Sequence, residues 1–222
     1  MTRFLPVIAL VLLAVAGGAW YLTQPSGNTM VSPAEAQDDA EAPDAGTILP
    51  DRVIGDDDAP VTVVVYSSYT CPHCATFHAD QYKSLKADYI DTGKVRYVHR
   101  EVYFDRYALW GGMLANCGGD MRYFGLSGML YEQQKEWIGS GDGDEILANL
   151  RRMGKTAGLS DDDIDACFAD QDMATNLVAT YQAHAEADGI NATPTLVIDG
   201  EKHSNMSYNA LKDIVEARLA AQ

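Results

Sequence analysis

The chain has 222 residues, enough for one or two domains, and 47% of them are hydrophobic, so a sizeable core is possible. Lysine and arginine number 16 against 32 aspartate and glutamate, a formal net charge of −16, which disfavours nucleic acid and anionic membrane surfaces as partners. The four cysteines fall as one close pair and two distant singles, and in an oxidising compartment the singles suggest a second disulfide.

Arg3 precedes an uncharged, mostly apolar run from Phe4 to Leu22. Residues 1–22 therefore read as a secretory signal or an uncleaved membrane anchor. Small-residue patterns stand at Ala14-Val15-Ala16 and Ala34-Glu35-Ala36, so cleavage and tethering both stay open. Residues 1–22 hold no twin-arginine pair, and in either case the rest of the chain is expected outside the cytoplasm. Residues 23–46 hold prolines, serines, glycines and acidic residues without apolar periodicity, and read as a disordered acidic linker. The folded part is expected over 47–222.

A short first strand is expected within Ile48 to Ile54, followed by a turn at Asp56-Asp57-Asp58-Ala59-Pro60. Val61 to Tyr66 is β-branched and apolar, as a strand covered on both faces should be. After Ser67 to Thr70 comes Cys71-Pro72-His73-Cys74, and from Ala75 to Ile90 the spacing of Phe77, Tyr82, Leu85, Tyr89 and Ile90 turns helical. The Cys-x-x-Cys thus opens a helix, where unpaired N–H groups carry partial positive charge. A thiol there loses its proton more easily, and the thiolate is the reactive species. Pro72 suits the first turn, since it has no N–H to lose. His73 can add positive charge and a donor beside the Cys71 sulfur. Ala75 after Cys74 excludes a covalent haem site, which needs Cys-x-x-Cys-His.

Lys94 to Arg100 alternates as a strand, completing a βαβ unit with parallel strands. Beyond Tyr103 the pattern becomes helical. Helices are expected over Tyr107 to Cys117, Met121 to Trp137 and Asp144 to Met153. Another opens at Ser160 as N-cap and carries Ile164, Cys167 and Phe168. Residues about 104 to 170 therefore form an all-helical insertion, and Met173 to Ala187 is a further helix. Leu196 to Ile198 is a buried strand with a hairpin signal at Asp199-Gly200, and Ser207 to Ala221 closes the chain as an amphipathic helix. His78, His99, His184 and His203 are single histidines at no ligand spacing. Cys71, Cys74 and His78 supply only three ligands of a tetrahedral site, so no metal is assigned, and no cofactor.

The segment Gly55 to Val63, the run Tyr69-Thr70-Cys71-Pro72-His73-Cys74 and the Thr193-Pro194 pair before a strand resemble the DsbA-like branch of the thioredoxin superfamily. The resemblance covers about residue 48 to the end. It implies an α/β thioredoxin fold with an inserted all-helical domain. It implies a redox-active Cys71–Cys74 pair in which Cys71 is nucleophile and leaving group and Cys74 is the shielded, resolving thiol. Thr193 and Pro194, with a cis bond between them, would face that pair and bind substrate, with Pro72 and His73 in the catalytic motif. Cys117 and Cys167 would form a structural disulfide, as in some relatives. The implied function is an exported protein disulfide oxidase of the bacterial envelope, acting on reduced or unfolded secreted proteins. A membrane quinone-linked partner would reoxidise it. The alternatives are a disulfide isomerase or reductase on the same scaffold, or a metal-binding protein using the Cys pair. Such isomerases oligomerise through an N-terminal domain that 23–46 does not offer, so a monomer is expected. One position departs from the pattern. Many relatives carry an acidic residue six positions before the first cysteine, where this chain has Val65; Glu101 or a water is the candidate substitute.

Overall fold

The computed structural model describes residues 46–221, so the leader expected at 1–22 and the expected linker up to residue 45 lie outside the described residues. Five strands form one sheet: β1 (Arg52–Ile54), β2 (Val61–Ser67), β3 (Val95–Glu101), β4 (Thr195–Ile198) and β5 (Glu201–Ser204). Their order across the sheet is β1-β3-β2-β4-β5. Only β2 and β3 run parallel, in a register that sets Val65 beside His99 and Ser67 beside Glu101. Central β2 carries no charge and has Val61, Val63, Val65 and Tyr66 fully buried, as its composition requires.

Between β2 and β3 runs a long helical rod. It begins as α1 (Pro72–Phe77) and passes through a π-helical turn (His78–Tyr82). Then come α2 (Lys83–Leu85) and a second π-helical turn (Lys86–Ile90). After β3 come α3 (Arg106–Cys117), α4 (Asp120–Glu132), α5 (Gln134–Ile138), α6 (Gly143–Thr156), α7 (Asp161–Ala169) and α8 (Gln171–Ala187); α9 (Tyr208–Ala220) follows the last hairpin. This is the thioredoxin fold with a helical insertion that the sequence predicts. Caps fall where the chemistry puts them. Asp105 accepts from the Tyr107 and Ala108 amides, and Ser160 with Asp163 closes a capping box. The β4–β5 hairpin turns on Asp199 and Gly200, both with positive φ (47° and 85°), as a type I′ turn demands.

The expected single helix from Met121 to Trp137 is instead two. Gln133 leaves helical geometry (φ −107°, ψ 25°), separating α4 from α5. The bend lets Gln134 turn toward the Cys71 loop, and Trp137 Nε1 donates back to the Leu130 carbonyl at 2.8 Å.

Two main apolar clusters organise the interior. One lies under the sheet and joins Val61, Val63 and Val65 to Phe77, Leu85, Leu196, Leu211 and Val215. The other fills the insertion with Leu114, Leu126, Leu130, Trp137, Ile146, Leu150 and Ile164, and it includes Tyr69 and Cys74. The thiol pair therefore belongs to the sheet by its backbone and to the insertion by its side-chain packing. The structure joins Cys117 at the end of α3 to Cys167 on α7 by a disulfide.

Candidate active site

Cys71 is the N-cap of α1, with Pro72 at the first helical position. Its carbonyl accepts from the Cys74 and Ala75 amides at 3.0 and 3.2 Å. The two sulfurs differ in surroundings: Cys74 is fully buried, whereas Cys71 is partly exposed, and both are free thiols. Cys71 Sγ donates to the Thr193 carbonyl oxygen at 3.4 Å, and the Thr193–Pro194 bond is cis. The structure thus brings Cys71, Cys74 and Thr193 together from two chain segments separated by more than a hundred residues.

The same geometry splits the acidities. A hydrogen bond from the Cys74 thiol holds the Cys71 thiolate and, despite some burial, its pKa falls to about 5. The Thr193 side chain and the backbone N–H groups of Cys74 and His73 assist. Burial pushes the Cys74 thiol upward, reinforced by its role as donor to Cys71. His73 itself is exposed, and its backbone N–H is among the groups that lower the Cys71 pKa.

Several residues that support the site carry no motif. Gln134 Nε2 donates to the carbonyls of Tyr69 and Cys71 at 2.7 and 2.9 Å, tying the insertion to the loop before α1. The Ser68 amide faces Cys74 Sγ at 3.5 Å. Thr70 donates to Asp105 Oδ2 at 2.6 Å, which anchors the loop to the start of α3. His78, read from the sequence as a conceivable third metal ligand, stacks instead between the Tyr82 and Tyr131 rings. Among the described residues no group of three His, Cys, Asp or Glu side chains gathers as a metal site.

Val65 is buried in the apolar cluster under the sheet. Glu101 does not touch the thiols. Its carboxylate accepts from Tyr69 Oη at 2.7 Å, Tyr123 Oη at 3.0 Å, Asn116 Nδ2 at 3.1 Å, and Tyr103 Oη. Burial raises its pKa, against the lowering effect of those four donors. His99, a bland histidine by spacing, is buried between two hydroxyls. Tyr123 Oη lies 2.7 Å from Nδ1 and Tyr131 Oη 3.1 Å from Nε2. Tyr131 Oη in turn donates to Ser67 Oγ at 2.9 Å. The signal for His99 was available: alternation along β3 puts it on the face of Val95 and Tyr97.

Residues 47–217 match a protein-family model described as thioredoxin. A Rickettsia bellii protein provisionally named a protein-disulfide oxidoreductase is 31% identical over 170 residues, covering 76% of this chain and 64% of that protein. The chain thus spans just under two thirds of that relative. Disulfide bond formation protein D of Bacillus subtilis is 26% identical over 179 residues, covering 75% of this chain and 76% of that protein. Among solved structures, Wolbachia pipientis alpha-DsbA1 superposes with a TM-score of 0.71 at 24% identity, over 79% of this chain and 94% of that one. A protein-disulfide isomerase from Novosphingobium aromaticivorans gives 0.70 at 23% identity, over 77% and 99%. These superpositions bear on the fold.

Proposed function

We propose, from the premise that the chain belongs to the thioredoxin family, that it is a thiol–disulfide oxidoreductase of the DsbA type. It passes the Cys71–Cys74 disulfide to reduced secreted proteins. The observation that carries this reading is the asymmetry of the two thiols. Cys71 is partly exposed, acidic and beside Thr193, while Cys74 is buried and held protonated. An acidic Cys71 is a good leaving group, and stabilising the reduced form makes the pair oxidising. A substrate thiolate attacks Cys71, Cys74 leaves and takes up a proton, and a second substrate thiolate attacks its own sulfur in the mixed disulfide. The substrate's disulfide forms, and Cys71 leaves as thiolate. Thr193 holds the substrate strand through its backbone, and Pro194, having no N–H, adds no competing donor.

The proposed setting is the bacterial envelope, as a monomer, with reoxidation by a membrane quinone-linked partner. The names of the sequence relatives support the chemistry, and the apolar run at 4–22 supports export. No helix among the described residues is long and apolar enough to cross a membrane. The Cys117–Cys167 bond is read as structural, since it ties together two helices of the insertion, α3 and α7. The reduction potential of the Cys71–Cys74 pair, equilibrated against glutathione, tests the direction. A value near about −120 mV fits an oxidase, and one near about −270 mV would reassign the protein as a reductase.

A further inference from the structure

Two buried side-chain amides of the insertion do the same chemistry in different places. Asn149, 7% exposed, donates through Nδ2 to the carbonyls of Glu136 and Trp137 at 3.1 and 3.2 Å, within the insertion itself. Gln134, 6% exposed, donates through Nε2 to the carbonyls of Tyr69 and Cys71 at 2.7 and 2.9 Å, across to the loop that carries the reactive sulfur. A primary amide has two N–H donors, and Gln134 places one on each side of Thr70. The Cys71 carbonyl also accepts from the Cys74 and Ala75 amides, and the Cys71 N–H donates to the Ser68 carbonyl at 3.1 Å. Cys71 is therefore held at both ends of its main chain while its side chain faces Thr193.

The geometry points to Gln134 as a positioning residue for thiol exchange: its amide clamps the main chain on both sides of Thr70 and so fixes where the Cys71 sulfur stands against its hydrogen-bond partners. This role presupposes the thiol-exchange reading above. The torsion that turns the Cys71 carbonyl is ψ, which is 117°. Pro72 confines the residue before it to extended ψ, but over a range of roughly 40°. A donor fixed on the carbonyl selects within that range. The sulfur hangs on one side of this torsion. Cys74 and the main-chain amides of His73 and Cys74, which hold the sulfur, lie on the other. A change in ψ therefore swings the sulfur past those donors and away from Thr193 on the facing loop. Without the Gln134 amide, the carbonyl of fully buried Tyr69 also loses a donor, and the peptide planes beside Thr70 turn to find others. Thr70 keeps its bond to Asp105, so the loop stays attached but is no longer aimed.

Gln134→Leu is compared with Asn149→Leu, which removes the equivalent clamp from the same insertion without touching the loop. Both variants should lose stability in denaturant. Only Gln134→Leu should raise the Cys71 midpoint, from about 5 to about 6, read from the thiolate ultraviolet absorbance of the reduced protein. That is the effect of one hydrogen bond to a charged group, roughly tenfold in an equilibrium. Against glutathione, the protein dithiol passes two electrons and two protons to glutathione disulfide. The Cys71–Cys74 bond forms and two glutathione thiols are released. At about pH 7, Gln134→Leu should move this equilibrium about tenfold toward the protein disulfide, or about 30 mV more reducing. An unchanged midpoint and equilibrium in folded Gln134→Leu overturns the positioning role. An equal shift in Asn149→Leu overturns it too, since the effect then belongs to the stability of the insertion. If either variant does not fold, the reduced wild type is titrated by NMR. The Gln134 side-chain amide resonances should move with the Cys71 midpoint while those of Asn149 do not, and flat Gln134 resonances overturn the clamp. A wild type that glutathione disulfide cannot oxidise overturns the exchange reading and this role with it, whereas failure of the clamp alone leaves wild-type oxidation intact.

Discussion

Lowering the pH from 7 to 4 should destabilise the reduced protein relative to the oxidised one, because only the reduced form holds a Cys71 anion. The folded Cys71 pKa is about 5, against an ordinary thiol value of 9.0. A depressed pKa contributes stability that accrues as pH rises from the folded value to the unfolded one and is lost as pH falls through about 5. Two pH units above 5 correspond to about 2.7 kcal/mol at roughly 1.4 kcal/mol per unit. Cys71 is partly exposed, so solvent screening reduces this to about 1.4–2.7 kcal/mol. Cys74, held protonated, adds nothing over the same range. Against the thiolate stands the disulfide of the oxidised form, which closes a ring of four residues and constrains the unfolded chain by about 2 kcal/mol. The reduced form should therefore overtake the oxidised one between roughly pH 6.5 and 8. At roughly 2–4 °C per kcal/mol, the gap between their melting temperatures should move by about 3–11 °C from pH 4 to 7. The assay is a pair of thermal melts at each pH in a Cys117→Ala/Cys167→Ala background, so that the reductant acts on one pair only. A gap that stays flat from pH 4 to 7 would refute the thiolate argument, whichever form is the more stable.

Other expectations follow from the same geometry. A short pulse of alkylating agent at pH 6 should label Cys71 and leave Cys74 almost untouched, as peptide mass spectrometry would show; equal labelling contradicts the assigned roles. Removing the Cys117–Cys167 bond, which spans 50 residues of sequence, should cost about 4 kcal/mol in denaturant titrations while leaving exchange activity largely intact. Gln134→Leu strips a donor from the buried Tyr69 carbonyl and should cost about 1–3 kcal/mol.

The frame of the molecule was legible because its signals are local and chemical. A β-branched run marked β2, a proline and two cysteines marked the start of α1, and Asp199-Gly200 marked the hairpin. Ser160 followed by three aspartates marked α7. What sequence reasoning missed lies in long-range polar contacts. The break at Gln133 involves no glycine or proline, and the bend follows from contacts 63 and 65 residues away in Cys71 and Tyr69. The π-helical turns at His78–Tyr82 and Lys86–Ile90 have no composition of their own. His99 was passed over because a lone histidine has no motif, and its partners Tyr123 and Tyr131 lie in another element. The face of β3 it occupies was readable, but the hydroxyls that meet it there were not.

The sheet order carries a consequence for how the chain acquires its shape during synthesis. Strand β2 has β3 on one side, some thirty residues later, and β4 on the other, where Val65 meets Leu196. Elongation runs from the N-terminus, so β2 and β3 can pair while the second half of the sheet does not yet exist. Throughout that interval β2 presents an open, uncharged, β-branched edge, the kind that recruits other chains. The helices of the insertion, built from near neighbours, can form during the wait, while closure across more than 130 residues comes last and slowest. Slowing translation after residue 170 should therefore raise aggregation more than an equal pause after the hairpin is complete.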